Sequence, residues 1–145
     1  MNKNLKSFFY CLPLLIMLNA CVLPPIPDAN KDTAIILLYI QPGRSLMAES
    51  IDRQRVNDGR YFQVTEGKHR LALRFQYEKK EIGGLISQDL GQTTCLMSFY
   101  YLFKANQTYY LEARPMVTGG QLLLTLNNNY LPLDFSEVEV NCGPY

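Results

Sequence analysis

Residues 68–77 read Lys-His-Arg-Leu-Ala-Leu-Arg-Phe-Gln-Tyr, and their large apolar side chains fall on alternate positions. The odd positions carry His69 and the apolar residues, whereas the even positions carry Lys, Arg, Ala and Gln. Successive side chains of a β-strand point to opposite faces of its sheet. The alternation therefore predicts a strand that turns one face towards a core and the other towards solvent.

Shorter runs of the same kind fill most of the chain beyond residue 32. They are rich in Ile, Leu, Tyr, Phe and Thr, and they end at Gly, Asn, Asp or Pro, which favour turns. The other predicted strands are 33–40, 46–51, 60–65, 94–103, 108–113, 121–126 and 136–142. Run 94–103 is apolar on both faces, which predicts a central or doubly covered strand. Together these runs predict an all-β domain over 33–145, a single antiparallel β-sandwich with a small β-barrel as the alternative.

The segments between these runs predict how the strands connect. Asn57-Asp58-Gly59 and Glu66-Gly67 are typical of tight turns, since Asp-Gly can supply the positive φ that hairpins need. Ala105-Asn106 predicts a hairpin between two strands that each carry a pair of tyrosines. Residues 79–94 contain three glycines and little periodicity, which predicts a long and mobile excursion.

The N-terminus predicts export. Two lysines precede an apolar run over 8–18, which is typical of a signal peptide, and this run is shorter than the roughly 20 residues of a membrane-spanning helix. Leu18-Asn19-Ala20-Cys21 resembles the lipobox of bacterial lipoproteins. The resemblance implies that residues 1–20 form a signal helix that is cleaved off and that Cys21 is the lipidation site. An ordinary secreted protein with a cysteine near its cleavage site is the alternative.

Acylation of Cys21 would attach the mature chain to a membrane. Stable anchoring needs more than one acyl chain, and a triacylated cysteine carries three. Val22 follows the cysteine, whereas an aspartate there resembles the retention signal of inner-membrane lipoproteins. We therefore expect the outer membrane, with the domain facing the periplasm. Residues 21–32 contain three prolines and predict an extended tether that holds the domain off the lipid.

Charge makes nucleic acid an unexpected partner. The signal peptide removes two of the 14 basic residues and none of the 13 acidic residues, which leaves the mature chain with a net charge near −1. The basic residues are scattered rather than gathered in a stripe.

The cysteines predict one disulfide. Cys11 leaves with the signal peptide and Cys21 is acylated, so Cys95 and Cys142 are the thiols that remain. Two distant thiols in an oxidising compartment predict a structural disulfide. A zinc site needs more ligands than these and the single histidine, so we expect no metal and no cofactor.

The stretch 51–71 contains Asn57-Asp58-Gly59-Arg60-Tyr61-Phe62 and then Thr65-Glu66-Gly67-Lys68-His69-Arg70-Leu71. It resembles the PEGA-like β-sandwich modules of bacterial surface lipoproteins, in which a strand passes through a glycine and a histidine into a second amphipathic strand. Glu66 stands where those modules have proline. With the N-terminal features, this resemblance implies a small proteobacterial lipoprotein with a sandwich domain, and it implies no activity.

Catalytic signatures are sparse. His69 lies on the inward side beside Glu66-Gly67, which predicts a structural role with bonds to the turn backbone. No Gly-x-Ser-x-Gly elbow is present. The acid pairs that would suit a glycosidase fall in the tether, in a turn and on an outward strand face, where solvation is expected. These pairs are Asp28/Asp32, Asp52/Asp58 and Glu137/Glu139. We therefore expect that the protein is not an enzyme.

The tyrosines are the best candidates for an interaction surface. The chain has ten tyrosines and no tryptophan, and tyrosine suits both protein interfaces and sugar stacking. Tyr100, Tyr109 and Tyr110 are the predicted surface. The expected function is a non-enzymatic protein-interaction module that meets another envelope protein. The alternative is a glycan-binding or enzyme-inhibitor lipoprotein.

Overall fold

The computed structural model describes residues 22–78, 91–117 and 119–143. The predicted signal helix, Cys21 and most of the predicted excursion 79–94 lie outside the described residues. The regular secondary structure of the described part is almost all strand. In chain order the strands are β1 Thr33–Tyr39, β2 Arg44–Ile51, β3 Gln54–Arg55, β4 Tyr61–Thr65, β5 Gly67–Glu78, β6 Gln92–Phe103, β7 Thr108–Met116, β8 Gly119–Leu126, β9 Asn129–Leu131 and β10 Val138–Gly143.

The strands form two separate five-stranded sheets. Sheet A has the order β4-β1-β7-β8-β9, and sheet B has the order β10-β6-β5-β2-β3. The predicted β-sandwich is therefore confirmed, and the described strands do not close into the barrel that was the alternative. One detail differs from the purely antiparallel prediction: β1 and β7 pair in parallel.

The strand predicted most clearly, β5, lies in the middle of sheet B between β6 and β2. Its odd-numbered apolar residues from Leu71 to Tyr77 are buried, as the alternation predicts. β6 is also central, but its second face is only partly covered: Ser98 is 5% exposed, whereas Leu96 is 45% exposed and Leu102 is 64% exposed. Its inward side, which includes Met97 and Phe99, packs in the core.

The predicted hairpin at Ala105-Asn106 is wrong. β6 belongs to sheet B and β7 belongs to sheet A, so this turn crosses between the layers. Phe103 and Tyr109 at its two ends both point inward, and their rings meet edge to face at 5.2 Å between centroids. The Tyr109 hydroxyl also accepts a hydrogen bond from the Lys104 backbone N–H at 3.0 Å. Because both ends bury large side chains against each other, the strands face one another instead of lying side by side.

The segments 57–59 and 66–67 also join different sheets, since β4 lies in sheet A while β3 and β5 lie in sheet B. The two-residue turn of the β2–β3 hairpin is instead formed by Asp52 and Arg53, with φ values of 49° and 71°. Positive φ at both central positions matches the right-handed twist of a hairpin. The predicted turn at 127–129 is present, but Asn129 already begins the short strand β9.

The predicted disulfide is present and joins the edge strand β10 to β6. Cys95 and Cys142 are direct cross-strand partners, and Cys95 is fully buried. The last predicted strand begins later than expected, because Phe135–Glu137 forms a short 3-10 turn. The Asp134 carboxylate caps that turn by accepting from the Ser136 N–H at 2.9 Å.

The described part of the predicted tether rests on the domain. Arg60 Nη2 donates to the Pro24 carbonyl at 2.8 Å, and the Asn106 N–H donates to the Asn30 carbonyl at 2.8 Å. The first contact is with the residue before β4, and the second is with the turn between β6 and β7. Ile35 points outward from β1, yet it is only 1% exposed.

Candidate functional site

The three tyrosines predicted as an interaction surface do not lie together. Tyr109 is 2% exposed and packs in the core, so its predicted place on a surface is wrong. Its neighbour Tyr110 must then point outward from sheet A, because successive side chains of a strand alternate, and it is 47% exposed. Tyr100 is 38% exposed on the outward side of sheet B, where the Lys68 ammonium lies 5.5 Å from its ring centre.

Tyr110 instead belongs to a line of residues that crosses all of sheet A. Direct cross-strand pairing links Tyr61 to Leu37, Leu37 to Tyr110, Tyr110 to Thr125, and Thr125 to Tyr130. Paired residues project from the same side of a sheet, so the three tyrosines share the outward side. We call Tyr61, Tyr110 and Tyr130 the tyrosine row, and the outward side of sheet A the tyrosine face.

Two residues of the row, Tyr110 and Tyr130, are exposed, whereas Tyr61 is half-buried. Tyr130 is 65% exposed, and Tyr39, which follows Leu37 on the same side of β1, is 56% exposed. Neighbouring strands are about 4.8 Å apart, so consecutive tyrosines of the row are spaced by roughly 10 Å. At that spacing the rings do not cover one another.

A polar cluster borders the row on β7. The Glu112 carboxylate accepts from Arg114 at 2.9 Å on both oxygens and from the Gln41 side-chain amide. These bonds lower the pKa of Glu112, and the bond from Arg114 has the largest effect. Hydrogen bonds to Glu112 and to Tyr130 raise the pKa of Arg114, and the bond to Glu112 has the larger effect. The cluster therefore holds an ion pair, an amide and a phenol beside the aromatic rings.

A cleft of about 550 Å³ lies at the side of the sandwich, where the edge strands β4 and β3 approach each other. We call it the edge cleft. Its walls combine apolar residues such as Val56 and Val64 with the side-chain amides of Gln54, Asn57 and Gln63. Tyr61 lines this cleft and also begins the tyrosine row, so the two features are continuous.

His69 lies in the edge cleft and bonds side chains rather than the turn backbone. Its Nδ1 is 2.7 Å from Asp52 Oδ2, and its Nε2 is 3.3 Å from the Thr65 hydroxyl. Because an ionised carboxylate only accepts, Nδ1 donates to Asp52, and Nε2 lies within hydrogen-bonding distance of Thr65. The sequence predicted a structural role for His69 with different partners.

Asp52 ties this arrangement to the sheet. Its Oδ1 accepts from the Arg70 N–H at 2.8 Å, and its own N–H donates to the Arg70 carbonyl at 2.8 Å. The bond from Arg70, followed by the bond from His69, lowers the pKa of Asp52. Left-handed backbone is unfavourable for residues other than glycine, so these bonds offset strain at the β2–β3 turn.

Two of the three acid pairs considered from the sequence, Asp52/Asp58 and Glu137/Glu139, are engaged in other contacts. Asp58 holds Arg60 in a forked ion pair with distances from 2.6 to 3.0 Å. This bond to Arg60 lowers the pKa of Asp58. Glu137 pairs with Lys68, and Glu139 pairs with Arg70 at 2.8 Å. Asp52 and Asp58 both line the edge cleft, but the Asp52 carboxylate is bonded to His69 and the Asp58 carboxylate is bonded to Arg60.

The outward side of sheet B, which we call the ion-pair face, is built differently. Besides the Lys68 and Arg70 pairs, Arg74 Nη2 lies 2.6 Å from Glu49 Oε1. The Ser98 hydroxyl bridges Arg70 and Glu139 with bonds of 2.7 and 2.9 Å. The hydrogen bonds from Arg70 and Ser98 lower the pKa of Glu139, and the bond from Arg70 has the larger effect.

Neither a metal cluster nor a membrane-spanning helix is found in the described part of the chain. It contains no group of three or more His, Cys, Asp or Glu side chains arranged to hold a metal ion. It also contains no helix with the length and hydropathy needed to cross a bilayer. Comparison with protein-family models, curated proteins and solved structures gives no match to the chain. The resemblance to PEGA-like modules accordingly rests on the sequence features alone.

Proposed function

We propose that this protein is a lipid-anchored envelope protein whose β-sandwich is a non-enzymatic binding module, with the tyrosine face as its binding surface. The observation that carries the proposal is the tyrosine row, a line of outward aromatic residues that five strands bring together. Tyrosine provides a large rigid contact area with a polar tip, which suits recognition surfaces. Another envelope component, either a protein or a glycan, is the ligand.

Anchoring and location are supported by the sequence. The lipobox-like residues before Cys21 and the apolar run ahead of them support acylation and export. The disulfide between Cys95 and Cys142 suits an oxidising compartment such as the periplasm. Val22 after the cysteine supports the outer membrane. A module held at a membrane meets its ligand at high local concentration, which makes a modest intrinsic affinity sufficient.

A second candidate function has one specific observation in its favour. Asp52, His69 and Thr65 follow the carboxylate, imidazole and hydroxyl order of a hydrolase triad. The identity of the hydroxyl residue argues against hydrolase activity. Enzymes that use this order have serine or cysteine as the nucleophile, whereas catalytic threonine is usually activated by its own N-terminal amine. Thr65 lies inside the chain, at the end of β4. A binding role for the neighbouring tyrosine face therefore takes precedence.

Site-specific photocrosslinking in living cells tests the proposed function. A photoreactive phenylalanine at position 110 is expected to form a crosslinked product with an envelope component. The same residue at position 100 is the matched control, since Tyr100 has similar exposure on the ion-pair face. Equal crosslinking from both positions, or none from position 110, would contradict the proposal. Hydrolysis of a nitrophenyl ester that disappears in Thr65→Val would instead favour the second candidate.

A further inference from the structure

We propose that the tyrosine row binds an uncharged, extended, β-linked glycan chain that lies across the strands of sheet A. This inference rests on the proposed function and names its ligand class. The row contains three tyrosines on alternate strands, β4, β7 and β9. A glycan lying across the strands contacts each of them in turn.

The spacing of the row fits a chain of sugar rings. One strand spacing of about 4.8 Å is close to the length of one pyranose unit in an extended β-linked polymer. Tyrosines on alternate strands therefore lie under every second ring. In β-1,4-linked polymers successive rings are flipped, so every second ring presents the same face. The C–H bonds of that face carry partial positive charge and pack against the negative face of an aromatic ring.

The positions between the tyrosines suit the sugars that are not stacked. Leu37 and Thr125 occupy those positions, and both are smaller than tyrosine. Gln63 is two residues beyond Tyr61 on the same side of β4, and Gln41 borders the row through Glu112. Amides and hydroxyls both donate and accept, which matches the hydroxyl groups of a sugar.

Charge selects the kind of polymer. The outward strand residues of the tyrosine face include two charged side chains, Glu112 and Arg114, which neutralise each other in an ion pair. A face with no net charge complements an uncharged polymer. Nucleic acid draws its affinity from phosphate contacts with Lys and Arg, and these face residues offer it no free cation. An anionic polysaccharide would likewise need free Lys or Arg side chains on the face to pair with its carboxylates or sulfates.

Calorimetric titration of the full-length lipidated protein in detergent tests the inference. The probes are the β-1,4-linked hexasaccharide and disaccharide of N-acetylglucosamine and a polyuronate of similar length. We expect the hexasaccharide to bind at least about tenfold more tightly than the disaccharide, because it spans the row, and the polyuronate not to bind. Each of Tyr110→Ala and Tyr130→Ala is expected to weaken hexasaccharide binding about tenfold, the loss of one aromatic contact. Tyr100→Ala on the opposite face is the control and is expected to bind like the parent.

The outcomes separate the ligand class from the function. Absence of hexasaccharide binding by the parent protein would overturn the glycan inference, as would equal weakening by Tyr100→Ala and Tyr110→Ala. If the parent binds no glycan but Tyr130→Ala abolishes the crosslink from position 110 to an envelope protein, the proposed function stands with a protein ligand. If Tyr130→Ala changes neither glycan binding nor the crosslink from position 110, both fail. Thermal melts of each variant establish that the fold is retained.

Discussion

The two outward faces of the sandwich follow the same alternation but present opposite surfaces. The ion-pair face carries three paired cations, Lys68, Arg70 and Arg74, bound to glutamates. The tyrosine face carries the tyrosine row and a single self-neutralised pair. Exposed leucines occur on the ion-pair face as well, but Leu102 and Leu96 lie directly opposite Lys68 and Arg74. Exposure of apolar residues therefore does not by itself mark a docking surface, because the charges of neighbouring side chains determine whether a ligand can dock.

The difference matters because binding removes water from a surface. Covering an ion pair withdraws its hydration, and the attraction between the charges repays this only when the geometry is very good. Covering a tyrosine releases water from a large aromatic surface while its hydroxyl can still bond at the edge. A ligand therefore loses less free energy of hydration by docking on the tyrosine face than on the ion-pair face.

The largest expected effect separates the tyrosine face from the core beneath it. Tyr109→Ala should lower the free energy of unfolding by about 3–5 kcal/mol, as for other buried aromatic truncations, because Tyr109 packs on Phe103. Tyr110→Ala should change it by less than about 1 kcal/mol while weakening ligand binding. Urea unfolding of both variants measures the contrast. Similar destabilisation by both would show that Tyr110 is structural.

The disulfide supports the ion-pair face, since β10 carries Glu139 and the turn before it carries Glu137. Replacing both Cys95 and Cys142 by alanine should lower the free energy of unfolding by roughly 4 kcal/mol in the chain-entropy model. Hydrogen exchange should accelerate in β10 more than in β7, which has no disulfide. Unfolding by urea without reductant gives the first value, and mass spectrometry of exchange gives the second. An unchanged transition midpoint would contradict the predicted stabilisation.

The edge cleft gives a prediction about pH. The pKa of Asp52 is lowered from 3.8 by the Arg70 and His69 bonds. A depressed carboxyl pKa adds stability above the unfolded value, and this stability is lost as the pH falls below about 4 and through the folded pKa. Asp52→Asn should therefore flatten the acid limb of a profile of stability against pH below about pH 4.

His69→Gln tests the same cleft at neutral pH. It should lower the free energy of unfolding by about 1 kcal/mol, because its hydrogen bonds are partly open to water. Ligand capture by the tyrosine face should persist. Thermal melts and crosslinking on the same protein measure the two properties. A variant that melts like the parent but loses function would move His69 from a structural to a functional role.

The smallest expected effect lies on the ion-pair face. A double-mutant cycle with Arg74→Gln and Glu49→Gln should give a coupling of no more than about 1 kcal/mol, and added salt should reduce it. Neither substitution should alter ligand binding, because both residues lie on the face opposite the tyrosine row. Urea unfolding at low and high salt measures the coupling. Weakened ligand binding by Arg74→Gln would contradict the assignment of binding to the tyrosine face.

Local pattern was sufficient for much of the fold. The alternation over 68–77 predicted β5 with its core and solvent faces, and similar runs predicted β1, β4, β7 and β8 within a few residues. The cysteine count, read with the leader, predicted the pairing of Cys95 with Cys142. These features depend on side-chain period and on the number of available thiols, both of which are properties of the chain itself. The short strands β3 and β9 were missed because two or three residues show no period.

Only the tertiary structure decided which strands are neighbours. The turn at 105–106 looks like a hairpin locally, but Phe103 and Tyr109 bury their rings against each other across the core and send the two strands to different sheets. The same long-range packing sets β1 beside β7 in parallel and brings Tyr61, Tyr110 and Tyr130 into one row. Alternation determines which side of its own strand a tyrosine occupies. Strand order and register are set by contacts between residues far apart in sequence, so the row could be recognised only in the folded domain.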